Sequence, residues 1–162
     1  NLFPDKIETL YSNPINIDEA VSAADLVIST VLIPGRRAPQ LVKVDTVKKM
    51  REGSVVVDVA IDQGGSTDIT KDHATSHSHP IFKKYGVTFY AVGNIPGAVA
   101  MTSTYALSNA TTVYAKALGK FGFKEALEKF PELKTGVNTY KGDVTIESVA
   151  EDTNHEYKEL EI

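Results

Sequence analysis

One carboxylate follows the strongest predicted strand of the sequence. Asp62 comes directly after the apolar run Ser54–Ile61 (SVVVDVAI) and precedes Gln63-Gly64-Gly65. Burial at the end of such a strand desolvates a carboxyl group, which raises its pKa and suits it to proton transfer. The commoner role for an Asp at this place is to accept hydrogen bonds from loop amides. Asp58 lies inside the run, and we expect it to have a structural hydrogen-bonding role.

Glycine and proline mark the ends of two further predicted strands. One strand ends in Thr30-Val31-Leu32-Ile33-Pro34-Gly35, and another ends in Gly93-Asn94-Ile95-Pro96-Gly97. Open parallel sheets bind ligands outside the carboxyl ends of their strands, and glycine lets a ligand approach the backbone closely. The pattern therefore predicts a small-molecule crevice, although loops between strands and helices often contain glycine and proline without binding anything.

Three histidines, His73, His77 and His79, lie in the polar stretch 66–79. Their spacing resembles that of some zinc ligands. The stretch has the composition of a loop rather than a helix, and neither a cysteine nor a nearby cluster of carboxylates accompanies it. We therefore expect no metal site there.

Short apolar runs predict the strands that must position these residues. They are Lys6–Tyr11, Asp25–Leu32, Ser54–Ile61 and Thr88–Val92. Continuous β-branched runs predict strands that are buried on both faces, as in a parallel sheet. Five other stretches predict helices: Asn16–Ala24, Val44–Met50, Thr102–Leu118, Lys124–Phe130 and Val144–Ala150. Strands that alternate with helices predict an α/β fold with a doubly wound sheet.

Two of these helices carry more specific expectations. Asn16 is expected to cap the first helix, with acidic residues in its first turn. The Tyr and Ala positions of Thr102–Leu118 are expected to pack in a core rather than to form a cofactor site. A turn is expected at Thr139–Asp143, where the sequence is TYKGD.

Composition narrows the class of protein. The chain has 162 residues, a net charge of −4 and no cysteine. The length suits one domain, the charge argues against a nucleic-acid partner, and the lack of cysteine fits a cytoplasmic protein. No apolar run approaches the roughly 20 residues that span a membrane. The first residue is Asn rather than Met, so we expect a fragment or a processed chain.

Three longer strings resemble the alanine dehydrogenase family. They are Ala24–Pro39 (ADLVISTVLIPGRRAP), Gly53–Gly65 (GSVVVDVAIDQGG) and Tyr90–Thr111 (YAVGNIPGAVAMTSTYALSNAT). Asn138–Ala150 resembles the C-terminal region of that family. The resemblance implies an incomplete Rossmann-type parallel sheet, the second half of a doubly wound domain, followed by C-terminal helices. Residues 1–118 would be the distal part of the NAD(P)-binding domain, and residues 119–162 a helical segment that returns to the catalytic domain.

The family binds NAD and interconverts L-alanine with pyruvate and ammonia by hydride transfer. The resemblance implies that Asp62 is the catalytic aspartate, which takes part in proton movement, and that it also contacts the cofactor. Asn94 would contact both cofactor and substrate. The remaining implied NAD contacts are Ser12, Thr30, Val31 and Leu32 on the adenosine side, Val59 near the nicotinamide ribose, and Val92 and Ile95 over the nicotinamide. Gly93 and Ser66 stand where the family often has Ala and Cys.

The sequence departs from the family most clearly by lacking a G-x-G-x-x-G turn. That turn holds the pyrophosphate of a dinucleotide at a helix N-terminus. The family's acidic ribose ligand, substrate-binding Arg and Lys and catalytic His are also missing. The resemblance therefore implies weak or absent NAD binding and no activity of the chain alone.

In the strand order 3-2-1-4-5-6, the missing strands are 1 and 2. Asp25–Leu32 would then form an open edge, which favours a homo-oligomer or a complementary N-terminal half as partner. Three hypotheses stay open at this point. The chain is part of an NAD-dependent L-alanine dehydrogenase, a non-catalytic truncated paralogue that acts as an oligomeric or interaction module, or part of another NAD-dependent 2-oxo acid or amino acid dehydrogenase.

Overall fold

The computed structural model describes residues 7–162. The helices are α1 (Pro14–Ala23), α2 (Val44–Lys49), α3 (Ala100–Lys129) and α4 (Glu147–Thr153). The strands are β1 (Leu26–Ser29), β2 (Val55–Asp58), β3 (Ile81–Lys84), β4 (Val87–Tyr90), β5 (Thr139–Tyr140) and β6 (Asp143–Val144). The chain divides into two compact units. The first contains the residues up to Leu32 and Ala38–Asn94, and the second contains Ile33–Arg37 and Ile95–Ile162.

The first unit is built on a four-stranded sheet with the order β1-β2-β4-β3. β1 pairs with β2 and β2 with β4 in parallel, with Val56 opposite both Val27 and Phe89. These pairs confirm the α/β class with a parallel sheet. The antiparallel strand β3, absent from the sequence prediction, makes the sheet mixed. It joins β4 through Tyr85 and Gly86, which both have positive φ, as tight hairpin turns require.

The core of the first unit packs α1 and α2 against one face of the sheet. Its buried side chains are Val42, Val47, Met50, Val56, Val87 and Phe89. The predicted burial on both faces is wrong for β1, because Leu26 and Ile28 remain 56% and 59% exposed. β1 lies at the sheet edge, as expected for Asp25–Leu32. Leu26 and Ile28 alternate with Val27, which packs against the core, so they lie on the face of the sheet away from α1 and α2.

The first helix begins earlier than the sequence predicted. The cap is Asn13, whose side chain accepts a hydrogen bond from the backbone of Asn16 at 2.9 Å. Pro14 then takes the first helical position, where its missing N–H has no consequence. The predicted strand Lys6–Tyr11 is wrong for residues 7–11, which have no regular structure, and Lys6 lies outside the described residues.

β1 and β2 end earlier than their apolar runs. β1 stops at Ser29 because its partner β2 stops at Asp58. After Asp58 the chain turns into a short 3-10 helix over Val59–Gln63, which ends at Gly64 in the left-handed conformation. This turn places Asp62 in a loop after the strand.

The second unit consists mainly of the long helix α3. Gly122 has a φ of 73° and a ψ of 177°, so it interrupts the helix with a kink between the two predicted helical stretches. The expected packing of the Tyr and Ala face is wrong for Tyr105, which is 67% exposed, although Ala117 is buried. Among residues 7–162, no helix combines the length and hydropathy needed to cross a lipid bilayer.

The C-terminal part of the second unit contains a small hairpin and a short helix. The predicted turn is the connection between β5 and β6, where Lys141 and Gly142 both have positive φ. The last helix was predicted at Val144–Ala150, but α4 starts at Glu147 because Val144 pairs with Thr139 in the hairpin. Position 118, the division implied by the family resemblance, falls inside α3, and that division stays a prediction.

Candidate functional site

The carboxyl ends of β1, β2 and β4 lie at one edge of the sheet. The three strands are parallel and hydrogen-bonded in succession, so the loops that follow them emerge side by side. Those loops begin at Thr30, Val59 and Ala91. In open α/β sheets this edge is where ligands bind. Most of the residues implied in binding lie on these loops.

A cleft of about 200 Å³ lies between the first two of these loops. Four of the implied NAD contacts line it together with Ala60 and Gln63, and they are Thr30, Val31, Leu32 and Val59. Pockets for drug-sized ligands usually have volumes of about 300–1,000 Å³, so this cleft can hold only part of a dinucleotide. Ser12 lies in a different cleft of about 210 Å³, where it is accompanied by Pro14, Gln40 and Thr46.

Asp62 and Asn94 are brought together from the second and third loops. Both carboxylate oxygens of Asp62 lie 3.1 Å from the backbone nitrogen of Asn94, which donates its N–H to them. Asp62 is exposed, so the prediction that burial desolvates its carboxyl group is wrong in the part of the chain that the structure describes. It accepts from a loop amide, which is the commoner role of an Asp directly after a strand. An exposed carboxylate held in this way remains accessible for proton exchange.

Asn94 has a strained backbone. Its φ of 53° lies in the left-handed region, which non-glycine residues seldom occupy. Among residues 7–162, no hydrogen bond involves the Asn94 side-chain amide, whereas both backbone groups are bonded. Val92, two residues earlier, is completely buried, and Ile95 begins the 3-10 helix Ile95–Val99 of the second unit. Asn94 is therefore the residue of this loop whose side chain is available to a ligand.

Asp58 organises the loop that carries Asp62. Its fully buried carboxylate accepts hydrogen bonds from the backbone nitrogens of Ala60 at 3.0 Å and Ser66 at 2.8 Å, and from the Thr70 hydroxyl. These bonds confirm the predicted structural role. Because Ala60 and Ser66 lie on either side of Asp62, one buried carboxylate holds both ends of the Asp62 loop.

Sequence reasoning missed the buried Thr67 and Thr70, which complete this network. The Thr67 hydroxyl accepts the backbone N–H groups of Ile69 at 3.2 Å and Thr70 at 3.0 Å. A Thr followed three residues later by Thr is a signal for such a local turn. The polar composition of the stretch indicates only a loop, whereas this spacing of Thr67 and Thr70 indicates the turn within it.

Comparison with known proteins decides the family. A model of the alanine dehydrogenase/PNT C-terminal domain matches residues 1–147 of the chain. The chain belongs to this family. The resemblance seen in the three strings is thereby confirmed, and so is the Rossmann-type architecture.

Individual members of the alanine dehydrogenase/PNT family are similar over almost the whole chain. The alanine dehydrogenase of Staphylococcus haemolyticus is 51% identical over 161 residues, which are 99% of this chain and 43% of that protein. Alanine dehydrogenase 2 of Staphylococcus aureus is 50% identical over the same proportions. The chain therefore spans less than half the length of the curated relatives. Their names do not favour the hypotheses of a non-catalytic paralogue or a different dehydrogenase.

Solved structures from the alanine dehydrogenase/PNT family have the same fold. An L-alanine dehydrogenase superposes with a TM-score of 0.76 and 45% identity, over 94% of this chain and 42% of that one. A transhydrogenase from Sinorhizobium meliloti superposes with a TM-score of 0.54 and 30% identity, over 65% of this chain and 30% of that one. Both comparisons relate the chain to a portion of a longer protein.

Proposed function

We propose that the chain forms one wall of the active site of an NAD-dependent L-alanine dehydrogenase, an oxidoreductase of alanine catabolism. In the proposed reaction, L-alanine, NAD⁺ and water give pyruvate, ammonium, NADH and a proton. The contact between the Asp62 carboxylate and the backbone N–H of Asn94 carries the proposal, because it joins the loops that follow β2 and β4. The family and the names of the relatives support it.

Asp62 is the proposed catalytic residue and an NAD contact. Its exposed carboxylate can take up a proton as the amine is oxidised and release it to water. The backbone N–H of Asn94 holds this carboxylate in place. Asn94 is the proposed contact to both substrate and cofactor, because it has the one polar side chain among residues 91–94 and no described residue forms a hydrogen bond with that side-chain amide. An amide can donate to a carboxylate or accept from an amine.

NAD is the proposed hydride acceptor. Thr30, Val31, Leu32 and Val59 would hold part of it in the cleft that they line, and Ser12, Val92 and Ile95 are the remaining proposed contacts. The small volume of the cleft and the absence of a G-x-G-x-x-G turn support only partial binding. We therefore expect NAD to bind the chain alone weakly or not at all.

The proposed activity depends on residues beyond these 162. The chain matches 43% of its relatives' length, and hydride transfer needs cofactor, substrate and proton-transfer groups positioned together. The missing groups would come from a complementary N-terminal half, and a second copy of this chain is the alternative partner that we propose. The exposed Leu26 and Ile28 on edge strand β1 support an association there. We also propose that the protein is cytoplasmic. A further proposal is that residues 1–118 form the distal part of the NAD(P)-binding domain and residues 119–162 a helical segment that returns to the catalytic domain.

A chimaera tests the proposal. The chain would replace its 161 matched residues in the Staphylococcus haemolyticus alanine dehydrogenase, and NADH formation from L-alanine would be followed by absorbance. We expect turnover by the chimaera, and none by the chain alone. Asp62→Asn in the chimaera should lower kcat by roughly 10²–10⁴-fold, the usual contribution of a positioned acid or base.

Asp45→Asn is the matched control, because Asp45 is an exposed acid on α2. It should leave kcat unchanged. A folded chimaera that reduces NAD with another amino acid but not with L-alanine would contradict the substrate assignment. Equal kcat for Asp62→Asn and Asp45→Asn would contradict the role of Asp62.

A further inference from the structure

The histidine stretch runs alongside the loop that carries Asn94. The backbone nitrogen of Thr75 donates to the carbonyl of Ala91 at 2.7 Å, and that of Gly93 donates to the carbonyl of Thr75 at 3.3 Å. Thr75 and Val92 form an isolated parallel bridge. The stretch thus extends the sheet by one short backbone pairing beyond the end of β4, and it carries His77 towards Asn94.

His77 contacts the carbonyl of Asn94, whereas Asp62 contacts its backbone N–H. The Nε2 atom of His77 lies 3.1 Å from the carbonyl oxygen of Asn94. A carbonyl can only accept, so Nε2 carries the proton in this contact. The N–H of the same residue donates to Asp62 at 3.1 Å. One residue in a left-handed conformation is therefore held at both of its backbone groups.

The other histidines have different neighbours. His73 packs edge-on against Phe82, with ring centroids 4.8 Å apart. His79 lies 3.2 Å from the Ser78 hydroxyl through Nδ1. Among the described residues, no cluster of three or more His, Asp or Glu could hold a metal ion. The three side chains do not converge, and His77 is the one that reaches the candidate site.

We propose that His77 is a positioning residue. Its hydrogen bond holds the Asn94 backbone in the left-handed conformation, and this conformation presents the Asn94 side-chain amide to the ligand. The inference rests on the proposed role of Asn94 as a ligand contact. A left-handed backbone is uncommon for residues other than glycine, and it persists where its surroundings hold it. Hydrogen bonds to its carbonyl and from its N–H supply that support without using the Asn94 side chain. A binding group whose backbone is fixed in advance loses less entropy when the ligand arrives.

NMR on the 162-residue chain, without any ligand, tests whether the His77 hydrogen bond holds the Asn94 backbone. His77→Ala should speed exchange of the Asn94 amide proton with water roughly three- to five-fold, the factor expected for one lost hydrogen bond. It should also shift the Asn94 amide resonance. His77→Gln should restore most of the wild-type rate, because its side-chain amide can donate to the same carbonyl. Unchanged resonances elsewhere would establish that each variant is folded.

His79→Ala is the matched control, since it removes a neighbouring exposed imidazole whose hydrogen bond goes to Ser78 and not to Asn94. It should leave the exchange rate of the Asn94 amide unchanged. The proposal is overturned if His77→Ala leaves that rate unchanged, if His79→Ala raises it equally, or if His77→Gln fails to restore it.

Kinetics in the chimaera separate this proposal from the proposed function. In an active chimaera, His77→Ala should raise KM for L-alanine or NAD several-fold more than it lowers kcat, and His77→Gln should reverse the change. If the chimaera is inactive but His77→Ala speeds exchange of the Asn94 amide proton, the proposed activity is rejected and the positioning role of His77 is supported. If the chimaera is active and His77→Ala leaves its KM values unchanged, the proposal that His77 promotes ligand binding through Asn94 is overturned.

Discussion

Asp62 binds the backbone of Asn94, not its side chain: both carboxylate oxygens lie 3.1 Å from the Asn94 nitrogen. The residue that the carboxylate holds also has a φ of 53°. The backbone conformation and the side-chain amide of Asn94 can therefore be altered separately by substitution.

Asn94→Gly and Asn94→Ala both remove the side-chain amide, but only glycine adopts a positive φ without cost. We expect Asn94→Ala to have a free energy of unfolding about 1 kcal/mol below that of Asn94→Gly, as measured by urea denaturation. In the chimaera both variants should raise KM by similar factors, because both lack the amide. Equal stability of the two variants would mean that position 94 is not strained.

Asp58→Asn should be strongly destabilising. The carboxylate accepts bonds from Ala60, Ser66 and Thr70, and an amide at this place turns its NH₂ group towards one of these donors. We expect a loss of about 2–4 kcal/mol in the free energy of unfolding, measured in urea. Asp45→Asn, on an exposed helix surface, should change it by less than about 0.5 kcal/mol. Similar losses for both variants would argue against the buried network.

Gly35→Ala tests the packing of the loop Ile33–Arg37 within the second unit. Gly35 has a φ of +72°, and a Cβ there would overlap the Ser148 hydroxyl oxygen of α4. We expect a loss of about 1–3 kcal/mol, from backbone strain and from the overlap. Ser148→Ala in the same chain removes the overlapping hydroxyl and should recover that part of the loss. The part caused by the positive φ at position 35 should remain. A double variant no more stable than Gly35→Ala would contradict the overlap.

Asp18 makes the first unit sensitive to acid. Hydrogen bonds from Lys49 at 2.8 Å and Thr46 at 2.6 Å lower the pKa of this carboxyl below its ordinary value of 3.8. The folded state thus binds a proton less readily than the unfolded state, so the contribution is present above pH 3.8 and is lost as the pH falls through the folded pKa.

Comparison of the wild type with Asp18→Asn across pH measures this contribution. We expect Asp18→Asn to be less stable than the wild type near neutral pH, and the difference in unfolding free energy to shrink in acid. Urea denaturation of both proteins at several pH values provides the measurement. A difference that stays constant well below pH 3.8 would show that the carboxylate charge is not responsible.

Local patterns in the sequence predicted most of the elements near the site. β2, β4 and α2 were anticipated from short apolar runs and from the basic end of Val44–Met50. Hydrophobic periodicity reports such elements because it depends on neighbouring residues. It does not predict β3, whose pattern extends over only Ile81–Lys84, or the start of α1, where the cap is Asn13 rather than the expected Asn16. The extended backbone of Asn13 and its side-chain bond to the Asn16 nitrogen place the cap there.

By itself, the sequence determined the α/β class, the family and the strand ends where polar residues gather. These conclusions rest on the order of residues along the chain, and the comparisons confirmed the first two. Only the tertiary structure decided that Asp62 reaches across 32 residues to the Asn94 amide, and His77 across 17 residues to its carbonyl. Such contacts depend on the path of the intervening loops, which buried groups such as Asp58 fix through bonds that no local pattern contains.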